Sequence, residues 1–143
     1  MPEKIMMRLN KDFEGGFWAV DPSNPDSDHY QPVQAIYDIS PYGMLLASLA
    51  GCTAQIVHTF AKNHSIEMDE IEIKLRYQHP DEEPEPSELE GSSSRHGKIT
   101  EQIQFIGDLS NSEKDKLFQV AQHCPIENLL EDGIIIKSQP VKD

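Results

Sequence analysis

Two cysteines, Cys52 and Cys124, are the side chains with the most direct route to covalent chemistry in this sequence. The thiolate is the nucleophile, so each is judged by what would lower its pKa. Two thiols in one chain are either inert core residues, the commonest state of a free cysteine, or a redox pair. In a redox pair one sulfur is oxidised and the other condenses with it. His58, His64 and His123 could join them at a metal, but the chain has no Cys-x-x-Cys or His-x-x-x-His spacing. A structural zinc needs about four ligands, so no metal and no cofactor is expected.

The surroundings of the two thiols differ. Leu45, Leu49, Cys52, Ile56 and Phe60 recur at spacings of four, three, four and four, which is one face of a helix. That stripe is expected to face the core, where burial raises a thiol pKa. No Lys or Arg occurs between Asp12 and Ala61, and Arg8, Arg76 and Arg95 are all remote in sequence. A cation for Cys52 must arrive by folding or from a second subunit. Cys124 directly precedes Pro125, a residue suited to the first position of a helix. Unpaired N–H groups there stabilise an anion, so the residues alone favour Cys124 as the more acidic thiol.

The elements that must position these thiols follow from periodicity. Ser40-Pro41 reads as a helix start, Ser as N-cap and Pro as first residue, and no proline follows from Tyr42 to Asn63. Leu46, Ala50, Thr53 and Val57 line the adjacent face, and the small residues from Ala47 to Ala54 would let another helix approach closely. Before this helix, Lys4–Leu9 alternates as a strand, Gly15-Gly16 signals a turn, and Phe17–Val20 reads as the return strand. Asp21–Pro32, with three prolines and three aspartates, is a loop, and Val33–Ile39 is a third short strand candidate. After the helix, Ile66–Gln78 and Lys98–Gly107 alternate as strands. Ser110 and Glu113 form a capping box for a helix carrying Leu117, Val120 and Ala121. Ile126–Glu131 is a second short helix, Gly133 a turn, and Ile134–Lys137 a terminal strand. The class is α+β, with helices gathered on an antiparallel sheet.

Composition narrows the partners. With 143 residues the chain is one domain over residues 1–143, and Lys+Arg 12 against Asp+Glu 25 gives a net charge of −13. Nucleic-acid binding needs clustered cations, and so does attraction to an anionic bilayer, so neither is expected as a partner. No run reaches the ~20 apolar residues of a membrane span. The first residues do not form a signal peptide, and two cysteines are too few for a secreted disulfide scaffold. A cytoplasmic location is expected. Asp81–Glu90 holds six acids in ten residues and reads as a solvated loop.

Two blocks carry a family resemblance. Ser40-Pro41-Tyr42-Gly43-Met44-Leu45-Leu46-Ala47-Ser48-Leu49-Ala50-Gly51-Cys52-Thr53-Ala54 resembles the first signature of the OsmC/Ohr family, a Pro-initiated helix with a Leu-Leu-Ala-Ala-Leu-Ala-x-Cys-Thr-like core. Gly107-Asp108-Leu109-Ser110 through Ala121-Gln122-His123-Cys124-Pro125-Ile126 resembles the second, which ends in a Cys-Pro junction. The resemblance implies an intertwined α+β homodimer, with antiparallel sheets around two central helices and sites at the subunit interface. It also implies a thiol peroxidase that reduces organic hydroperoxides. Cys52 would be the attacking thiol, Cys124 the resolving one, and an external dithiol the reductant. This reverses the roles that the helix-end argument suggests. Family peroxidases carry a Glu about ten residues before the first cysteine, where this chain has Tyr42 and Gly43, and an Arg from the N-terminal strand region, for which Arg8 is the only candidate. Two rival readings follow: a non-catalytic dimer that binds a small apolar ligand at the interface, and an interaction protein whose Asp81–Glu90 run engages a basic partner.

Overall fold

The computed structural model describes residues 3–80 and 97–141, apart from residues 22, 25, 36 and 37. The acidic run at 81–90 lies outside them. β1 (Glu3–Asn10) pairs antiparallel with β2 (Gly15–Val20), and β2 with the short β3 (Tyr30–Pro32). After α1 (Pro41–Asn63) the chain returns as β4 (Glu70–Gln78) along the other side of β1, and β5 (Lys98–Ile106) completes the sheet. The strand order is β3-β2-β1-β4-β5. Two further helices, α2 (Asn111–Ala121) and α3 (Pro125–Asp132), follow.

Alternation decides which face of the sheet is covered. Ile5, Met7 and Leu9 of β1 and Ile71, Ile73 and Leu75 of β4 are buried and sit in register. α1 lies on this inner face with Leu46, Ala50, Ala54 and Val57, all fully buried. Each large aliphatic side chain removed from water contributes roughly 1.5–3 kcal/mol. A side-chain bond adds direction: the buried His58 Nε2 is 2.7 Å from the Leu9 carbonyl, tying α1 to the end of β1. By length and composition α1 could cross a membrane, but here its most apolar face packs on the sheet.

The helix starts obey their local signals. Ser40 caps α1, its Oγ accepting from the Gly43 N–H at 3.1 Å, with Pro41 following. Ser110 and Glu113 make both bonds of a capping box on α2.

Four expectations need correction. Gly15 and Gly16 do not form the first turn but open β2, opposite Leu9 and Arg8. The turn is Lys11–Glu14, held by the Asn10 Oδ1, which accepts from the Asp12 and Glu14 N–H groups at 3.0 Å each. Gly15 is required for closeness, because a Cβ there would strike the Arg8 carbonyl. The third strand is Tyr30–Pro32, inside the expected loop, and Val33–Ile39 is not a strand over its described residues. Ile134–Lys137 forms no strand either: Ile135 is 85% exposed, and the segment pairs with no strand among the described residues. Finally, the deepest face of α1 is the Leu46-Ala50-Thr53-Val57 stripe. On the neighbouring stripe Leu49 is buried, Cys52, Ile56 and Phe60 are half-buried, and Leu45 is exposed. The helix is apolar over a wider arc than the sheet covers.

Candidate functional site

Cys52 sits three turns into α1, on the stripe that α2 and α3 flank. Cys124 occupies the junction of those two helices as N-cap of α3, completely buried among Leu117, Ala121 and the rest of the core. Both thiols are free, and one acts on the other: the Cys124 thiol contributes to the raised pKa of Cys52. Residues 72 positions apart in sequence are thus brought within each other's influence, one thiol half-accessible and the other sealed.

The electrostatics of Cys52 have three sources. Burial pushes its pKa above the ordinary thiol range, and the Cys124 thiol adds to that rise. The Ile126 N–H, at the start of α3, opposes both by hydrogen-bonding the sulfur. The helix end that sequence assigns to Cys124 therefore serves Cys52. As N-cap, Cys124 turns its side chain into the core and makes no capping bond, leaving the first-turn N–H of α3 to point at its neighbour. Among the described residues no cation figures in the shift of Cys52.

Arg8, the N-terminal candidate for that cation, is on the wrong side. It alternates with Met7 and Leu9, so it projects from the outer face of the sheet. There its Nε lies 3.1 Å from Glu70 and 3.2 Å from Glu72. The histidines are equally occupied: His58 faces Leu9, and the His64 Nδ1 is 3.0 Å from the Phe60 carbonyl. No three potential metal ligands gather among the described residues.

A cleft of about 910 Å³ opens between α1, β5 and the two C-terminal helices. Tyr42, Leu45 and Leu49 of α1 form one wall, Ile99 and Ile103 of β5 the opposite one, with Phe118 and Leu130 closing the ends. Leu49 precedes Cys52 by one helical turn, and Glu127 follows the Ile126 whose N–H meets the Cys52 sulfur. Both line the cleft, and neither cysteine does. Tyr42 stacks on Tyr77 at 4.8 Å, and the His79 ring meets both edge-on.

The sequence reading missed Glu101. It occupies an inner-face position of β5, opposite Leu75 and in line with Ile99, Ile103 and Phe105. Burial and then the charge of Glu127 push its carboxyl up to about 7. Glu127 is itself raised, by burial and by Glu131. The signal was a single break in an alternating apolar row.

Comparison with known proteins agrees with this architecture. The family described as "OsmC-like protein" matches residues 35–139, and the chain belongs to that family. Among solved structures it is similar to an OsmC-like hydroperoxide resistance protein from Jannaschia sp., with a TM-score of 0.57 and 16% identity over 99% of this chain and 95% of that one. An OsmC-like protein from Mycoplasma pneumoniae aligns with a TM-score of 0.49 and 16% identity, over 88% of this chain and 85% of that one. No curated protein matches the chain.

Proposed function

We propose that this protein is a dimeric thiol peroxidase that reduces organic hydroperoxides through Cys52 and Cys124. The observation that carries the reading is a half-accessible thiol whose pKa is raised in part by a second, sealed thiol. Cys52, as thiolate, attacks the outer peroxide oxygen; the S–O bond forms, the O–O bond breaks, and an alcohol leaves. The sulfenic acid is then attacked by the Cys124 thiol. Their condensation makes a disulfide and expels water, and an external dithiol returns both sulfurs to thiols by exchange. The apolar cleft wall suits an alkyl or aryl peroxide, and a free thiol pair suits a reducing cytoplasm.

The homodimer is supported by what one chain leaves uncovered. Nothing lies within 4 Å of a Cβ built on Gly51, on the exposed side of α1, while Leu45, Ile134, Ile135 and Ile136 are exposed. A second α1 packed there would also bring the partner's charges toward Cys52.

The test is catalytic consumption of an alkyl hydroperoxide by the full chain with a dithiol. Turnover that disappears in Cys52→Ser is the expected result; equal consumption by wild type and variant would refute the reading. A second reading, a non-catalytic dimer that holds a small apolar ligand, is favoured by Tyr42 in place of the family Glu and by the commitment of Arg8 to Glu70 and Glu72. It requires that Cys52→Ser leave cellular function intact.

A further inference from the structure

The cleft between α1, β5 and the C-terminal helices has a lining that thiol chemistry does not use. Its volume of about 910 Å³ suits a small organic molecule. Two kinds of surface meet in it. Leu45, Leu49, Ile99 and Ile103 give it aliphatic walls, and Tyr42 and Tyr77, stacked at 4.8 Å, add aromatic surface. The carboxyls of Glu101, Glu127, Glu131 and Asp132 line the same space, and Lys98 brings the one ammonium among its described lining residues.

That imbalance selects the sign and the size of an occupant. Glu101 stands half-buried on the inner face of β5, opposite Leu75, where the strand's alternation otherwise places apolar residues. Its charged neighbour is Glu127, and no cation among the described residues figures in the shift of either. A cleft with low-dielectric walls and one sign of charge concentrates ions of the opposite sign. A metal ion is a poor match, because no three candidate ligands gather among the described residues. The carboxyls are spread along the walls instead of converging on one point. An anion would add to the crowding of like charge. A neutral apolar molecule would desolvate Glu101 and Glu127 without offsetting their charge. An ammonium on an apolar chain meets both surfaces: it hydrogen-bonds carboxylates, its charge is attracted to aromatic rings, and its chain covers the aliphatic walls.

We propose that this cleft binds an amphiphilic organic cation, a primary ammonium carried on an aryl or alkyl chain. Glu101 and Glu127 hold the ammonium, and Leu49, Ile99 and Ile103 take the chain. This goes beyond the peroxidase reading and does not rest on it, since neither cysteine lines the cleft.

The charge of the occupant sets a proton linkage. Burial and then the charge of Glu127 push Glu101 up to about 7. The other ionisable groups lining the cleft are Lys98 on its own strand, Tyr77 on β4, Tyr42 on α1, and Glu127, Glu131 and Asp132 on α3; α2 presents Phe118 and Gln122. The His79 ring meets Tyr42 and Tyr77 edge-on. An ammonium favours the ionised carboxyl. Binding therefore releases a proton near neutral pH and tightens as Glu101 ionises.

Calorimetric titration of the full chain with phenethylammonium, phenethyl alcohol and phenylpropionate provides the test. At about pH 8 the ammonium is expected to bind about 10-fold more tightly than the alcohol, and phenylpropionate more weakly than either. Glu101→Gln is expected to weaken the ammonium by about 10-fold and to leave the alcohol unchanged. In wild type the ammonium should gain nearly 10-fold in affinity from about pH 6 to about pH 8, and in Glu101→Gln clearly less. An ammonium that binds no tighter than the alcohol, or not at all, overturns the proposal. So does an ammonium affinity that Glu101→Gln leaves unchanged, which would place the cation on other carboxylates of this acidic chain. If Glu101→Gln does not fold, the wild-type pH series decides, and a flat affinity refutes the proposal. None of these titrations involves a peroxide, so their failure and the failure of the peroxidase reading are separate results.

Discussion

The two faces of one sheet treat charge in opposite ways. On the outer face several charges have partners of opposite sign: Arg8 with Glu70 and Glu72, Lys74 with Glu72 at 3.8 Å, and Lys4 with Asp28 at 3.9 Å. These pairs are partly exposed, and such bridges contribute little to stability. On the inner face Glu101 stands among aliphatic side chains with Glu127 as its charged neighbour, and both are held above the ordinary carboxylate range. Matched charge on a wet face is what solubility asks for. A like-charged pair beside an apolar cleft opposes folding, and a carboxyl perturbed in this way is a candidate for a functional role. The contrast also explains why Arg8 does not activate Cys52: β1 turns it toward the face that α1 never touches.

The experiments that sharpen or break this contrast differ in size. The largest effect belongs to Cys52→Ser, which should reduce dithiol-driven hydroperoxide consumption to the uncatalysed background. Cys124→Ser should keep one fast turnover and then stall, leaving a sulfenic acid on Cys52 that a dimedone probe traps. A variant that turns over at the wild-type rate would remove Cys124 from the cycle.

Glu101 should also be felt in stability, with a defined sign. Its carboxyl titrates near its ordinary 4.5 when unfolded and about 7 when folded. Between those values the folded chain holds more protons than the unfolded one, so stability falls as pH rises through that window. Urea midpoints measured across it should decline in wild type and flatten in Glu101→Gln. A matching decline in both would place the charge effect elsewhere. The smallest effect is on the outer face: Arg8→Ala should cost under about 1 kcal/mol and change hydroperoxide turnover less than about twofold. A large loss of turnover would mean that Arg8 reaches a thiol in the assembled protein.

Local signals made much of the fold legible. Ser40-Pro41 and the Ser110/Glu113 box are decided within a few residues, and both helices begin where those residues say. The alternation of Ile5, Met7 and Leu9 and of Ile71, Ile73 and Leu75 gave two central strands and their buried face. The same alternation already placed Arg8 outside. β3 was not legible because three residues carry no period, and Gly15-Gly16 was misread because its glycines serve a close approach rather than a turn. Ile134–Ile136 looked like a strand, but the segment pairs with no strand among the described residues and stays exposed.

The site was legible as residue types and not as geometry. Cys52 and Cys124 are evident in the sequence, but their influence on each other depends on how α3 docks against α1, and that docking sets the Ile126 N–H against the rise of the Cys52 pKa. Proximity along the chain had suggested Cys124. Glu101 was visible only as the missing apolar residue between Ile99 and Ile103, a break that gains meaning once the cleft and Glu127 lie beside it.

The claim on which the proposed function depends is that the two thiols act as one redox unit. Thiol titration of the denatured full chain tests it directly, before and after one equivalent of tert-butyl hydroperoxide and again after dithiol. The account predicts two free thiols, then none, with a mass lower by two hydrogens, then two again. Two thiols persisting after the hydroperoxide would contradict it.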